Sequence, residues 1–133
     1  MKRLFTFGCS YTVFAWPTWA DYIGVNFDTY YNFAKSGCDN KNILYQILNA
    51  DKKHKFTSDD YVMVMFTSFN RCSYFKQYQL FNSGDLVNQD ESHPFMNKYP
   101  YEAGIYDSWI SAKSIKTLLD SKGMDYNLQQ ALP

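Results

Sequence analysis

Apolar and polar residues fall in blocks whose period changes along the chain. Leu4 to Phe7 is a short β-prone run ended by Gly8, which predicts a buried strand feeding a turn. Trp16, Trp19, Ala20 and Ile23 recur at helical spacing, with Pro17 suited to a first helical turn and Gly24 to a stop. Asp28 to Ala34 carries Tyr30, Tyr31 and Phe33 and reads as a second strand, broken by Ser36-Gly37. Asn40 is placed to cap a helix through Lys53, with Ile43, Leu44, Ile47 and Leu48 as its apolar stripe. After a turn at Thr57 to Asp60, Tyr61 to Phe66 is a continuous apolar run, as expected of a central parallel strand covered on both faces. Residues 72–101 show no period and contain Gly84, Pro94 and Pro100, so a long loop with short helical pieces is expected. Glu102 to Ser121 predicts the best helix. Its broad face holds Ile105, Tyr106, Trp109, Ile110, Ile115, Leu118 and Leu119, and Lys122-Gly123 closes it. Met124 to Leu128 predicts a last strand.

Strands and helices therefore alternate, which predicts an α/β fold: a three-layer sandwich around a mostly parallel sheet. The length of 133 residues suits one domain over 1–133, with a long loop at about 72–101.

Hydrophobic residues make up 46% of the chain and charged residues 20%, so a packed core is expected rather than disorder. Thirteen basic and thirteen acidic residues cancel, which leaves no electrostatic footprint for nucleic acid or an anionic membrane. No apolar run is long enough to span a bilayer, and Leu4 to Phe7 is too short for a secretory leader. A cytoplasmic or virion-associated protein is the expectation. Twelve Tyr, 11 Phe and 3 Trp could supply stacking surface, although Lys, Asn and Tyr enrichment is equally the mark of a biased genome. Three cysteines form no disulfide framework.

In open α/β sheets ligands bind beyond the carboxyl ends of the strands. Three small or polar clusters stand there: Gly8-Cys9-Ser10-Tyr11-Thr12, Ser36-Gly37-Cys38-Asp39-Asn40 and Thr67-Ser68-Phe69-Asn70-Arg71-Cys72. A serine at a strand-to-helix turn can be a nucleophile, and backbone N–H groups at such turns can stabilise an oxyanion. A turn or helix-capping serine is the plainer role.

Phe7 to Thr12 resembles block I of the SGNH/GDSL hydrolases, whose Gly-Asp-Ser turn presents a catalytic serine. Ser36 to Asn40 resembles block II, and Ser68-Phe69-Asn70-Arg71 after its strand resembles block III. The resemblance covers roughly the first 72 residues. It implies a flavodoxin-like SGNH fold and hydrolysis of a small or carbohydrate-linked ester. Ser10 would be the nucleophile, and Gly37 and Asn70 oxyanion donors. Cys9 stands where the family has aspartate, and Ser68 where it has glycine. The family's Asp-x-x-His near the C-terminus has no counterpart here. His93, in Asp90-Glu91-Ser92-His93-Pro94, would have to serve as base from the long loop, and the plainer role is a surface histidine. His54, flanked by Lys53 and Lys55, is expected to be solvated.

Cys9, Cys38 and Cys72 each follow a predicted strand. A thiol nucleophile at Cys9, a three-thiolate metal site and small buried residues are the alternatives. Without a Cys-x-x-Cys pair, neither metal nor cofactor is expected. Arg71 could hold a carboxylate or phosphate, or pair with Asp39 or Asp60. The competing function is a catalytically inactive binding or structural module of the same fold, part of a viral or other larger assembly. An open final edge strand would favour self-association or an assembly partner.

Overall fold

The structure, a computed structural model, describes residues 2–69, 71–76, 79–85 and 101–130. Four parallel strands form the main sheet in the order β2-β1-β3-β6. They are β1 (Arg3–Phe7), β2 (Thr29–Asn32), β3 (Tyr61–Phe66) and β6 (Asp125–Gln130). Helices α2 (Asn40–His54) and α3 (Tyr101–Ser121) pack against each other on one face. The short α1 (Trp19–Gly24) lies on the other, where Tyr30 of β2 donates its hydroxyl to Asp21. This is an α/β fold built on an all-parallel sheet. Among the described residues, no helix is long and apolar enough to cross a membrane.

The core lies between the sheet and the α2–α3 layer. Phe5, Phe7, Val62, Val64 and Phe66 point into it and meet Ile43, Ile47, Ile115 and Leu119. Each fully buried large apolar side chain contributes about 1.5–3 kcal/mol, so this face dominates the folding drive. The apolar run of β3 is not covered equally on both faces. Val62, Val64 and Phe66 are buried, whereas Tyr61, Met63 and Met65 are half-buried, because α1 is too short to cover the second face.

The structure changes several expected elements. Helix α1 begins at Trp19, not Trp16, because Thr18 and Asp21 set its start: the Thr18 N–H donates to the Asp21 carboxylate at 2.7 Å. Asp39 rather than Asn40 caps α2, its carboxylate accepting from the Asn42 N–H at 2.7 Å. The expected loop contains an antiparallel hairpin of β4 (Arg71–Lys76) and β5 (Gln79–Asp85). Its strands carry no clean apolar–polar alternation, with Tyr74 and Phe75 adjacent in one and Leu80 and Phe81 adjacent in the other, and the pairing shifts register between Arg71 and Ser73. Helix α3 is rotated from its apolar face. Gly104, Ser111, Ile115 and Leu119 face inward, while Ile105, Tyr106, Trp109 and Ile110 are exposed.

The opposite edge of the sheet is closed by charge. Arg3 forms a bidentate pair with Asp60, Nε to Oδ1 at 2.7 Å and Nη2 to Oδ2 at 2.6 Å, and also donates to the His54 and Lys55 carbonyls. Burial pushes the Asp60 carboxyl up, but hydrogen bonds from Arg3 and Thr57 more than offset it and hold the group below its ordinary value. Asp60 is therefore Arg3's partner and is not matched with Arg71.

Candidate functional site

Because every pairing in the main sheet is parallel, β1, β2 and β3 deliver their carboxyl ends to the same edge. After β1 the chain winds tightly: the Thr12 and Val13 N–H groups both donate to the Cys9 carbonyl, at 2.9 and 3.2 Å. Gly8 opens this turn for lack of space. A Cβ there would collide with Thr12 Oγ1 and stand 2.9 Å from Thr12 Cβ and 3.1 Å from the Met65 carbonyl oxygen.

The turn after β2 is stapled to the first. The Lys35 N–H and the Cys38 thiol both donate to the Gly8 carbonyl, at 3.0 and 3.2 Å. Gly37 sits between them at a φ of 75°, in the left-handed region that a side chain disfavours. The exit of β3 is held by Asn40. Its amide donates to the Thr67 carbonyl at 2.9 Å and accepts from the Thr67 N–H at 2.8 Å, and it also donates to Ser108 of α3. Arg71 closes the edge by donating to the Cys38 carbonyl at 3.5 Å. The described residues of the three clusters singled out from the sequence thus form one contiguous edge.

Within it, Ser10 and the cysteines differ in access. Cys9 and Cys38 are each 1% exposed and belong to the hydrophobic core. Burial, with Cys9 and Asp39 nearby, pushes the Cys38 thiol up to about 12, against the opposing pull of Arg71. Burial keeps both thiols from a substrate, and the raised pKa further disfavours a Cys38 thiolate, so Cys9 and Cys38 read as packing residues. Cys72 lies in β4. Among the described residues, no three His, Cys, Asp or Glu side chains are grouped to hold a metal ion.

Ser10 is half-buried and lines a cleft of about 420 Å³ with Tyr11, Phe14, Trp16 and Thr18. Among the described residues its hydroxyl caps no helix and makes no hydrogen bond, and neither its N–H nor that of Gly37 is spent on a protein acceptor. The capping role that competes for such a serine is taken by other residues, Thr18 with Asp21 at α1 and Asp39 at α2.

Asn70 and His93 lie outside the described residues. His54 is not solvated as expected. It shares a helical face with Ile47 and Ala50, and its ring packs on Phe5, Tyr31 and Phe33 at centroid distances of 5.4, 4.5 and 5.7 Å. Its Nε2 is buried without a partner. Burial, aided by Lys53 and Arg3, lowers its pKa. His54 and Asn40 occupy opposite ends of α2, about 21 Å apart at the helical rise, so His54 is remote from Ser10. Sequence reasoning missed Asn40 as the clamp of this edge. It also missed Asn32, whose amide donates to the Thr12 carbonyl and accepts from the Ala34 N–H. Both looked like ordinary cap or turn asparagines.

No protein-family model matches the chain, and no curated protein matches it.

Proposed function

We propose that the chain is a serine ester hydrolase of SGNH-like, flavodoxin-like fold, with Ser10 as its nucleophile. The observation that carries this reading is the uncommitted Ser10 hydroxyl at the mouth of a cleft on the carboxyl edge. Its support is the pair of unspent N–H groups at Ser10 and Gly37, on turns stapled through the Gly8 carbonyl. In this reading Ser10 Oγ attacks the ester carbonyl and its proton passes to His93. The oxyanion draws on the two N–H groups and the Asn70 amide, and the alcohol leaves with the proton. Water then releases the acid from the acyl-serine and restores the hydroxyl. Asn70 takes its role from the resemblance of its motif, and His93 takes its role as the histidine that the long loop would have to supply.

Hydrolysis of p-nitrophenyl acetate by wild type, Ser10→Ala and His93→Ala tests the assignment, together with mass spectrometry after a fluorophosphonate probe. The expected result is a loss of about 10³-fold or more in both variants, and a phosphonyl adduct on the Ser10 peptide of wild type. Turnover that survives Ser10→Ala refutes it.

A second reading has its own observation. His54, the one histidine among the described residues, is packed between aromatic rings far from Ser10. A catalytically inactive binding module of the same fold then predicts a folded protein with neither turnover nor adduct.

A further inference from the structure

Helix α3 carries apolar residues on two sides, and only one side is buried. Ile115 and Leu119 lie in the core with Ser111 beside them, while Ile105, Tyr106, Trp109 and Ile110 are 42%, 66%, 60% and 51% exposed. At 3.6 residues per turn these four share one side of the helix with Glu102 and Lys113, opposite Ser111 and Ile115. The Lys113 ammonium lies over the Trp109 ring, 6.0 Å from its centroid, and extends the stripe toward the carboxyl end. Asp107 is turned away toward Lys41, at 3.6 Å. From Glu102 to Lys113 the exposed stripe therefore runs acid, apolar, base.

We propose that this stripe is the contact face of a two-fold dimer, in which α3 of one protomer packs antiparallel on α3 of a second copy, centred between Asp107 and Ser108. The order of residues selects a second copy as the occupant. In that register Ile105 meets Ile110 of the second copy, Tyr106 meets its Trp109 and Glu102 meets its Lys113, and each pair occurs twice. A stripe that matches itself when reversed is what an isologous contact requires. A parallel pair would instead set Glu102 on Glu102 and Lys113 on Lys113. The area suits a reversible dimer. Two aliphatic and two aromatic side chains exposed to these fractions present about 500 Å² on each copy, so the pair buries about 1,000 Å², the low end for a specific interface. A membrane surface is the poorer occupant, because interfacial helices carry a basic polar face, whereas Glu102 and Asp120 stand on this side of α3. The dimer is independent of the reading of Ser10 as nucleophile.

Sedimentation equilibrium of the full chain over a concentration series reads the contact. Wild type is expected to pass from monomer to dimer with a dissociation constant in the micromolar range. Trp109→Glu should weaken the dimer about 100-fold, since the ring enters the contact twice. Glu102→Lys and Lys113→Glu should each weaken it about tenfold, because either change sets two like-charged pairs across the contact. Mixing these two variants should restore association, since in the mixed dimer every acid again faces a base. The substituted side chains are exposed, so thermal melts at a dilution where wild type is monomeric should match across the set. Wild type that stays monomeric at about 1 mM overturns the proposal, whether the stripe is covered from within the chain or left in water. Dimers indifferent to Trp109→Glu overturn it, because they form on another surface. Failure of the mixed variants to associate also overturns it, by removing the antiparallel register. Monomer that cosediments with phosphatidylserine vesicles, and loses them on Trp109→Glu, overturns it in favour of a membrane surface.

Discussion

Asn40→Ala should be among the most damaging single substitutions at the carboxyl edge. Asn40 and Thr67 are 3% and 2% exposed, so neither has ready access to water. The substitution deletes three hydrogen bonds of 2.8–2.9 Å. The Thr67 carbonyl keeps a donor in Gln130 Nε2 at 3.2 Å, but its N–H loses the Asn40 acceptor. An orphaned buried N–H costs about 1–3 kcal/mol and each other lost bond about 0.5–1.5 kcal/mol, which sums to about 3 kcal/mol. For a chain of this size that is a fall in Tm of ~10 °C. Asn40→Asp sharpens the reasoning. It keeps the acceptor for the Thr67 N–H but sets a carboxylate against the Thr67 carbonyl. Its place in the first turn of α2 recovers only about 0.3–1 kcal/mol from the helix dipole. At pH 7 Asn40→Asp should therefore be less stable than Asn40→Ala. It should recover as pH falls, because the protonated carboxyl can donate to the Thr67 carbonyl. Urea unfolding followed by circular dichroism reads both, with Lys116→Ala on the exposed face of α3 as a control expected to unfold at nearly the wild-type midpoint. An Asn40→Ala variant within about 1 kcal/mol of wild type would refute the clamp.

Three further outcomes follow from the same geometry. Gly8→Ala should cost about 1–3 kcal/mol in urea unfolding through its collision with Thr12, and an unchanged midpoint would show that the turn has room. His54 is held below its ordinary value of 6.5, so the unfolded chain binds the proton more readily; stability present above that value is lost as pH falls below it toward the folded pKa. His54→Phe, which suits the ring cluster, should flatten the urea midpoint between pH 7.5 and pH 5.5 by about the His54 share, and an identical slope in both proteins would remove His54 from the account. Cys9 and Cys38 should resist iodoacetamide in native protein at pH 8 and react after unfolding, as read by peptide mass mapping; rapid native labelling of either would contradict their burial.

Local periodicity made several elements readable in the chain itself. Tyr61–Phe66 is a strand to the residue, and β1, α2 and α3 lie within a residue or two of their expected bounds. Such segments are set by propensity and by neighbours a few positions away. The alternation of strand and helix likewise carried the α/β architecture, and the parallel sheet brings the Gly8-Cys9-Ser10, Ser36-Gly37 and Thr67 clusters to one edge. What depends on contacts distant in sequence was not readable. The apolar stripe of α3 did not set which face turns inward: Gly104 and Ser111 are buried, while Ile105, Tyr106, Trp109 and Ile110 are exposed. The hairpin of β4 and β5 depends on pairing between two segments, neither of which carries a clean alternation of its own. His54 was drawn into the aromatic core by the packing of α2 on β1 and β2, although two flanking lysines marked it as a surface residue. Asn40 became the clamp of the site only because a residue 27 positions away supplies both halves of its amide's pairing. The sequence by itself determined the strands of the main sheet, the two long helices and the edge at which chemistry could sit. Only the tertiary structure decided which side chains at that edge are committed and which, like Ser10, are left uncommitted, because hydrogen bonding and burial are properties of neighbours in space rather than along the chain.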